Sequence, residues 1–165
     1  ITEERKEAVD FSSPYYSTAQ TVITVAGSKA AEAASLADLK GLLIGAATGT
    51  TSFAAIENVI APTAGAQAFN SNDDAKAALA NGQVDAIVVD LPTAFYLTAV
   101  ELDGGIILGQ LAGAEAGDTF GLVLDKGSPL TAAVSAAVDA LRANGKLAEL
   151  ETTWLADFAG APVLK

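Results

Sequence analysis

The sequence predicts an α/β fold with a mainly parallel sheet flanked by helices. Three observations lead to this prediction. Short apolar runs alternate with helical patterns along most of the 165 residues. Two of these runs, residues 42–46 and 84–89, are apolar enough to be buried on both faces, as strands of parallel sheets are. The apolar share of 51% is sufficient for a core, and only 18% of the residues are charged.

The first half of the chain contains three predicted strands. β-Branched residues favour a strand in TVITVA, and hydroxyl residues that precede apolar patterns indicate helix caps. The predicted elements are a strand over 21–26, a short helix capped by Ser35, a strand over 42–46, a helix over 48–60 and a short strand over 66–69.

The second half follows the same alternation. Ser71 and Asp74 resemble a capping box, and Gly82 stands where a glycine ends a helix. The next strand, over 84–89, is followed directly by Asp90. A last strand is predicted over 120–125. Two closing helices carry apolar stripes formed by Leu130, Val134, Val138 and Leu141, and by Leu147, Leu150, Trp154 and Phe158.

Composition excludes several classes of function. The net charge of −11 disfavours nucleic acid and anionic membrane surfaces as partners. The chain has no His and no Cys, which excludes zinc fingers, thiol nucleophiles and His-based catalysis, and we expect no cofactor and no metal site. The sequence also lacks Met and begins in the middle of a pattern. This start is typical of a fragment, or of a mature chain whose signal peptide has been removed.

Polar residues follow two of the predicted strands, where ligands bind in parallel sheets. The turn over 48–52 places hydroxyl groups and backbone N–H groups at a helix N-terminus, which suits a carboxylate or a phosphate. Asp90 suits a cationic group. Both the turn and Asp90 have a simpler interpretation. Thr50 or Thr51 could only cap the helix that follows the turn, and Asp90 could only cap the next helix. Asp85 is expected to be a solvated turn residue.

The two arginines have different contexts. Arg142 lies at a predicted helix C-terminus, where a cation is favourable, so it needs no further function. Arg5 has no such role, and a guanidinium can hold a carboxylate with two parallel hydrogen bonds. The alternative interpretation of Arg5 is a surface ion pair with Glu3, Glu4 or Glu7.

Five segments, in order along the chain, are ITEERKEAVDFSSPYY, SLADLKGLLIGAATGTTS, ALANGQVDAIVVDLPTAFY, FGLVLDKGSPL and ALRANGKLAELETTW. Together they resemble the extracytoplasmic, periplasmic amino-acid-binding proteins of ABC transporters. The resemblance implies a periplasmic-binding-protein-like fold, in which two α/β lobes joined by hinge strands clamp a free amino acid without covalent chemistry.

The resemblance also implies residue roles. Arg5 matches the residue that holds the ligand α-carboxylate, and Thr50 and Thr51 match groups that help to hold it. Asp90 matches the acid that binds the α-ammonium group. The expected ligand-binding residues are Arg5, Thr48, Gly49, Thr50, Thr51 and Asp90.

By the same resemblance, the second lobe is complete and the first lacks its N-terminal part. Hinges are expected near residues 17–20 and 116–120. Ligand affinity should then be weak, and the apolar stripes should pair two copies or leave residues 128–165 mobile. The implied division is 1–19 as a remnant of lobe 1, 20–115 as lobe 2 and 116–165 as the second hinge strand and C-terminal helices of lobe 1.

The implied partners are an amino acid and a membrane permease, and the implied location is periplasmic. Two alternatives remain open: an enzyme on the same fold, such as a cyclohexadienyl-type dehydratase, and the sensor domain of a signalling protein. The small polar residues Thr48 and Ser52 favour a polar amino acid, without identifying it.

Overall fold

The computed structural model describes residues 1–112, 118–155 and 160–165. The chain divides into two compact units. The first is Ile1–Thr18 with Gly117–Ala159, and the second is Ala19–Ala116 with Gly160–Lys165. Residues 160–165, which the predicted division grouped with the C-terminal helices, therefore belong to the second unit.

The alternation of strands and helices continues through both units. The elements in chain order are α1 (Glu3–Ala8), β1 (Val9–Phe11), β2 (Tyr16–Thr18), β3 (Gln20–Val25), α2 (Leu36–Leu39), β4 (Ile44–Ala47), α3 (Thr51–Ala55), β5 (Gln67–Phe69), α4 (Asn72–Ala80), β6 (Ala86–Asp90), α5 (Leu91–Tyr96), β7 (Gly105–Leu111), β8 (Asp118–Phe120), β9 (Val123–Asp125), α6 (Thr131–Ala143), α7 (Lys146–Leu155) and β10 (Val163–Leu164). Helices α3 and α5 continue as π-helices over Ile56–Ile60 and Leu97–Glu101.

A six-stranded sheet forms the centre of the second unit, in the order β10-β7-β3-β6-β4-β5. The pairs β10–β7, β6–β4 and β4–β5 are parallel, and β3 is antiparallel to both of its neighbours. Strand β10 joins this sheet through β7, which explains why residues 160–165 belong here. The sheet is mainly parallel, as predicted.

Side chains on both faces of this sheet are buried. Because successive residues of a strand point to opposite faces, Val22 and Val88 enter one hydrophobic cluster, whereas Ile23 and Ile87 enter another. Ile56 belongs to the first cluster. Helices α4 and α5 contribute to the second. The sheet therefore lies between two helical layers, and the prediction that residues 84–89 are buried on both faces is confirmed for the β6 portion.

The predicted helix caps of the second unit form. Ser35 and Asp38 make a complete capping box at α2. The Ser71 hydroxyl accepts the Asp74 N–H at 3.1 Å. Gly82 follows α4 with φ +69°. These bonds satisfy backbone groups that helix ends leave unpaired, which is why local sequence predicts them.

Two small antiparallel sheets, β1–β9 and β2–β8, lie in the first unit. The prediction of one strand over 120–125 is wrong, because β8 and β9 pair with different partners and are separated by Gly121 and Leu122. Ser12 fixes this separation: its N–H donates to Leu122 O at 2.9 Å, and its Oγ accepts the Leu122 N–H at 3.0 Å.

Most of the predicted apolar stripes on α6 and α7 face solvent. Val138 is 5% exposed, but Leu130 is 60% and Trp154 is 74% exposed. Among the described residues, the hydrophobic clusters contain none from the first unit. Phe158, the last residue of the predicted stripe, lies outside the described residues.

Within the described parts of the chain, no helix has the length and apolar character needed to cross a bilayer. The same parts contain no group of three or more acidic, His or Cys side chains arranged to hold a metal ion.

Candidate functional site

The polar residues predicted in the second unit gather at one edge of its sheet. Strands β4 and β6 are parallel neighbours, so their carboxyl ends lie at the same edge. Thr48, Gly49, Thr50 and Thr51 follow β4, and Asp90 is the last residue of β6. The structure therefore brings these five of the six predicted residues to a common edge.

The turn after β4 is held by its backbone. The Thr48 N–H donates to the carbonyl of Phe69, the last residue of β5, at 2.8 Å. Gly49 has φ +70°, a left-handed conformation that suits glycine. Thr48 and Gly49 are both exposed. This turn thus presents an exposed, fixed backbone at the end of the strand.

Thr50 and Thr51 differ in how their hydroxyl groups are used. Thr50 is the N-cap of α3: its hydroxyl accepts the Phe53 N–H at 3.1 Å and donates to Ala47 O at 2.6 Å. The simpler interpretation, a helix cap, therefore describes Thr50. The Thr51 hydroxyl accepts a hydrogen bond from Gln20 Nε2 at 3.3 Å. Thr51 is thus tied to a different strand, β3.

Asp90 is the N-cap of α5. Its Oδ1 accepts the Thr93 N–H at 3.0 Å, and its Oδ2 accepts the Thr93 hydroxyl at 2.8 Å. These two bonds fix the orientation of the carboxylate. An ionised carboxylate has about four acceptor positions, so two bonds to Thr93 leave acceptor capacity for a cation.

Sequence reasoning did not identify Gln20 as part of this edge. Gln20 begins β3, is 4% exposed and is the cross-strand partner of Asp90. Its only sequence signal was a polar residue at the predicted hinge, next to a β-branched run.

Arg5 belongs to the first unit, on the exposed surface of α1. Its backbone N–H donates to the Thr2 hydroxyl at 3.3 Å. Arg142, in the last turn of α6, pairs with Asp139 at 2.8 Å and donates a hydrogen bond to Pro14 O. The contacts of Arg142 are structural, in keeping with its predicted lack of further function.

Asp85 is not the solvated turn residue that the sequence predicted. Its side chain is 12% exposed, and it accepts the Leu43 N–H at 2.9 Å. Lys29 lies 3.8 Å from the carboxylate. Asp85 therefore joins the beginnings of β6 and β4, at the edge opposite to Asp90. Local sequence could not show this, because Leu43 and Asp85 are far apart in the chain.

An open groove of about 490 Å³ in the first unit also contains charged groups. There, Asp10 accepts the Gly127 N–H at 2.9 Å and pairs with Lys126 at 3.2 Å. The Gly127 N–H, followed by Lys126, lowers the pKa of Asp10 below its ordinary value. Asp10 and Lys126 are paired with each other, and Lys6, which also lines the groove, pairs with Glu3 at 2.6 Å. The edge at Asp90 is therefore the better candidate.

The fold and this polar edge indicate a class of protein: α/β proteins that bind a small polar molecule beyond the carboxyl ends of their strands. Residues 1–157 match the family described as bacterial extracellular solute-binding proteins, family 3. The chain belongs to this family.

Curated relatives agree with this assignment. The L-arginine-binding protein of Pseudomonas aeruginosa is 34% identical over 158 residues, covering 92% of this chain and 60% of that protein. The ABC transporter glutamine-binding protein GlnH of Bacillus subtilis is 31% identical over 157 residues, covering 94% and 55%. The chain thus spans less than two thirds of the length of these relatives.

Solved structures give the same result. The arginine-, lysine-, histidine-binding protein ArtJ of Geobacillus stearothermophilus has a TM-score of 0.75 and 28% identity, covering 98% of this chain and 68% of that one. An ancestral arginine-binding protein bound to glutamine has a TM-score of 0.75 and 31% identity, covering 93% and 67%. The predicted family and the predicted periplasmic-binding-protein-like fold are confirmed.

Proposed function

We propose that this chain is part of the solute receptor of an ABC transporter and that it binds a free amino acid. The family match across residues 1–157 carries the proposal, because it includes every predicted ligand-binding residue. The relatives described above are named for arginine or glutamine binding. Both ligands are polar amino acids, which fits the exposed polar turn at Thr48.

The proposed site matches both charges of a zwitterion. Removing an amino acid from water is unfavourable unless each charged group gains a hydrogen-bonded partner. In this proposal Asp90 binds the α-ammonium group, and the α-carboxylate is bound by Arg5, by Thr51 and by the backbone around Gly49 and Thr50. The role of Arg5 rests on the sequence resemblance alone.

The geometry of the second unit supports this assignment. Thr93 holds the Asp90 carboxylate in one orientation, so binding a cation needs little further ordering of the side chain. Thr51 lies at the same edge of the sheet as Asp90. A group for the anion and a group for the cation are therefore available on one rigid scaffold.

We further propose that ligand capture involves no covalent change, that the protein works outside the cytoplasmic membrane and that it delivers its ligand to a membrane permease. The relatives are solute-binding proteins, and the family is described as extracellular. Incubating the chain with candidate acids and looking for products by mass spectrometry tests whether ligand capture involves a covalent change. Any product formed in proportion to protein concentration would favour the dehydratase alternative.

Titration calorimetry of the 165-residue chain with each of the twenty L-amino acids tests the proposal. We expect one or a few polar amino acids to bind weakly and the rest not to bind. Arg5→Ala should weaken binding by about 2–5 kcal/mol, the range for removing one partner of a paired charge. Arg142→Ala is the matched control, since it removes the other arginine, and it should leave affinity unchanged. Absence of binding by all twenty would contradict the proposal, and equal affinity of Arg5→Ala would remove Arg5 from the site.

A further inference from the structure

The C-terminal segment belongs to the second unit, although the helix that precedes it belongs to the first. Residues 160–165 are grouped with the second unit, whereas α7 lies in the first. Within this segment, β10 pairs in parallel with β7 at the edge of the six-stranded sheet. The chain therefore crosses from the first unit to the second just before β10.

Hydrogen bonds hold this segment on the second unit. The Gln110 N–H donates to Pro162 O at 2.7 Å, and Gln110 Nε2 donates to Ala161 O at 3.0 Å. At the other end of the segment, the Leu36 N–H donates to Lys165 O at 3.2 Å. The segment is thus bonded to the second unit at both of its ends.

Side-chain packing fixes the same segment. Leu164 is 2% exposed and belongs to the hydrophobic cluster that contains Val22 and Val88. A Cβ atom at Gly109, in β7, would lie 2.7 Å from Pro162 O and 3.0 Å from Leu164 Cγ. The segment therefore approaches β7 so closely that glycine is required there. Docking combines backbone bonds with the burial of a core side chain.

The chain also crosses between the units at two other places, after Thr18 and after residue 116. These two crossings run side by side, because Thr18 and Asp118 are paired in the β2–β8 ladder. Two adjacent strands can bend together, as hinges do when a few residues absorb a change of conformation. The crossing before β10 leads into the six-stranded sheet rather than into that ladder, so it is a separate restraint.

The link that leads to β10 is short. Helix α7 ends at Leu155, and Ala161 is already hydrogen-bonded to β7. A link of this length spans at most about 22 Å when fully extended, at roughly 3.6 Å per residue. Docking therefore keeps the end of α7 within that distance of β7.

We propose that residues 160–165 are a strap that limits the relative motion of the two units. Docking on β7 makes the link from α7 a third restraint, in addition to the two paired crossings. The effect of the strap on ligand capture rests on the proposed function, in which Arg5 of the first unit and Asp90 of the second bind one amino acid. By limiting motion, the strap raises the effective concentration of one group at the other.

Lengthening the link tests the strap and leaves the docked segment intact. Inserting about twelve glycine and serine residues between residues 159 and 160 makes the link flexible and roughly three times as long. ¹⁵N relaxation of the full chain, at concentrations where it is monomeric, gives a rotational correlation time for each unit. We expect one common value for wild type. The insertion variant should give two values, while the Gln110 N–H stays protected from hydrogen exchange.

A matched insertion and two substitutions are the controls. The same insertion between Ala64 and Gly65, in an exposed turn of the second unit, adds equal length without changing a crossing, and it should leave one common value. Leu164→Ser removes the buried anchor, so it should expose the Gln110 N–H to exchange and give two values. Val163→Thr, at a position that is 51% exposed, should do neither. If Leu164→Ser unfolds the second unit, the insertion between residues 159 and 160 decides.

One common value for that insertion variant, with the Gln110 N–H protected, would overturn the strap, and so would two values for wild type. Amino-acid binding is a separate measurement. Effective concentration falls roughly as the −3/2 power of link length, so the insertion should weaken binding by at most about fivefold. Equal affinity despite two correlation times would overturn the role in capture. The NMR measurements need no ligand, so they decide on the strap even if none of the twenty amino acids binds and the proposed function fails.

Discussion

Asp90 combines a structural bond with a proposed ligand contact, and the two can be separated by substitution. Asp90→Asn retains an oxygen that can accept the Thr93 N–H, but it removes the negative charge. We expect this variant to keep its stability and to lose amino-acid binding. Calorimetry and urea denaturation measure the two effects on the same sample.

Asp90→Ala is the comparison, because it removes the cap as well as the charge. It should lose binding and also about 1 kcal/mol of stability, the typical value of an N-cap. If Asp90→Asn bound amino acids as well as wild type does, Asp90 would be only a helix cap.

Gly49 has a conformational role in the turn that precedes α3. A Cβ atom added at Gly49 would meet nothing within 4 Å, so any effect of Gly49→Ala comes from its φ of +70°. We expect Gly49→Ala to lower the free energy of unfolding by about 1–2 kcal/mol. Thermal and urea denaturation provide the measurement.

Gly41→Ala is the matched control for this substitution. Gly41 also has open space around it, and its φ lies outside the left-handed region. This substitution should be neutral or slightly stabilising. Equal stability of the two variants would contradict the strain assigned to Gly49.

At the scale of elements, one ion-pair cluster links α4 to the π-helix that follows α5. Lys76, in α4, pairs with Asp73 at 3.0 Å and also with Glu101. The hydrogen bond from Lys76, followed by that from Tyr96, lowers the pKa of Glu101 below its ordinary value of 4.5. A lowered pKa means that the folded state prefers the ionised form, so this stabilisation is present above pH 4.5 and is lost as the pH falls through the lowered value.

Glu101→Gln tests this pH dependence. Its melting temperature should lie below that of wild type at pH 7. The difference should shrink as the pH falls from 4.5 through the lowered pKa of Glu101, because wild-type Glu101 then becomes neutral as well. Glu57→Gln, in the π-helix after α3, is the control and should show little difference at either pH. A difference for Glu101→Gln that is the same at pH 7 and pH 3 would contradict the assignment.

Elements that depend on neighbouring residues were predicted well from sequence. The predicted caps at Ser35 and Asp90 involve bonds to residues three positions away. The separation of β8 from β9 was missed, because it depends on Ser12, which is 110 positions from Leu122. Gln20 was missed for the same reason, since its partner Thr51 is 31 positions away. Sequence patterns report local bonds and do not report which distant side chains meet.

Across the whole molecule, buried apolar side chains are distributed unequally. In the described residues, the hydrophobic clusters lie in the second unit, whereas Leu130, Leu150 and Trp154 of the first unit are exposed. Amides protected by a core exchange slowly, and those without one exchange quickly. We expect α6 and α7 to exchange faster than β3 and β6 in hydrogen-exchange measurements on dilute protein.

Sedimentation over a range of protein concentrations shows whether the chain forms dimers under the conditions of the hydrogen-exchange measurement. If copies pair through the exposed stripes, exchange in α6 and α7 should slow as the dimer forms. A monomer whose α6 and α7 amides exchange as slowly as those of β3 and β6 would contradict the account of the first unit.

The measurement that tests the central claim most directly changes the chemical structure of the ligand and leaves the protein unchanged. Once an amino acid that binds the chain is known, its N-acetyl derivative lacks the ammonium group and its α-amide lacks the carboxylate. If Asp90 binds the ammonium group and Arg5 with Thr51 binds the carboxylate, both derivatives should bind at least about tenfold more weakly than the free amino acid. Equal affinity for the free amino acid and both derivatives would contradict recognition of a zwitterion at this site.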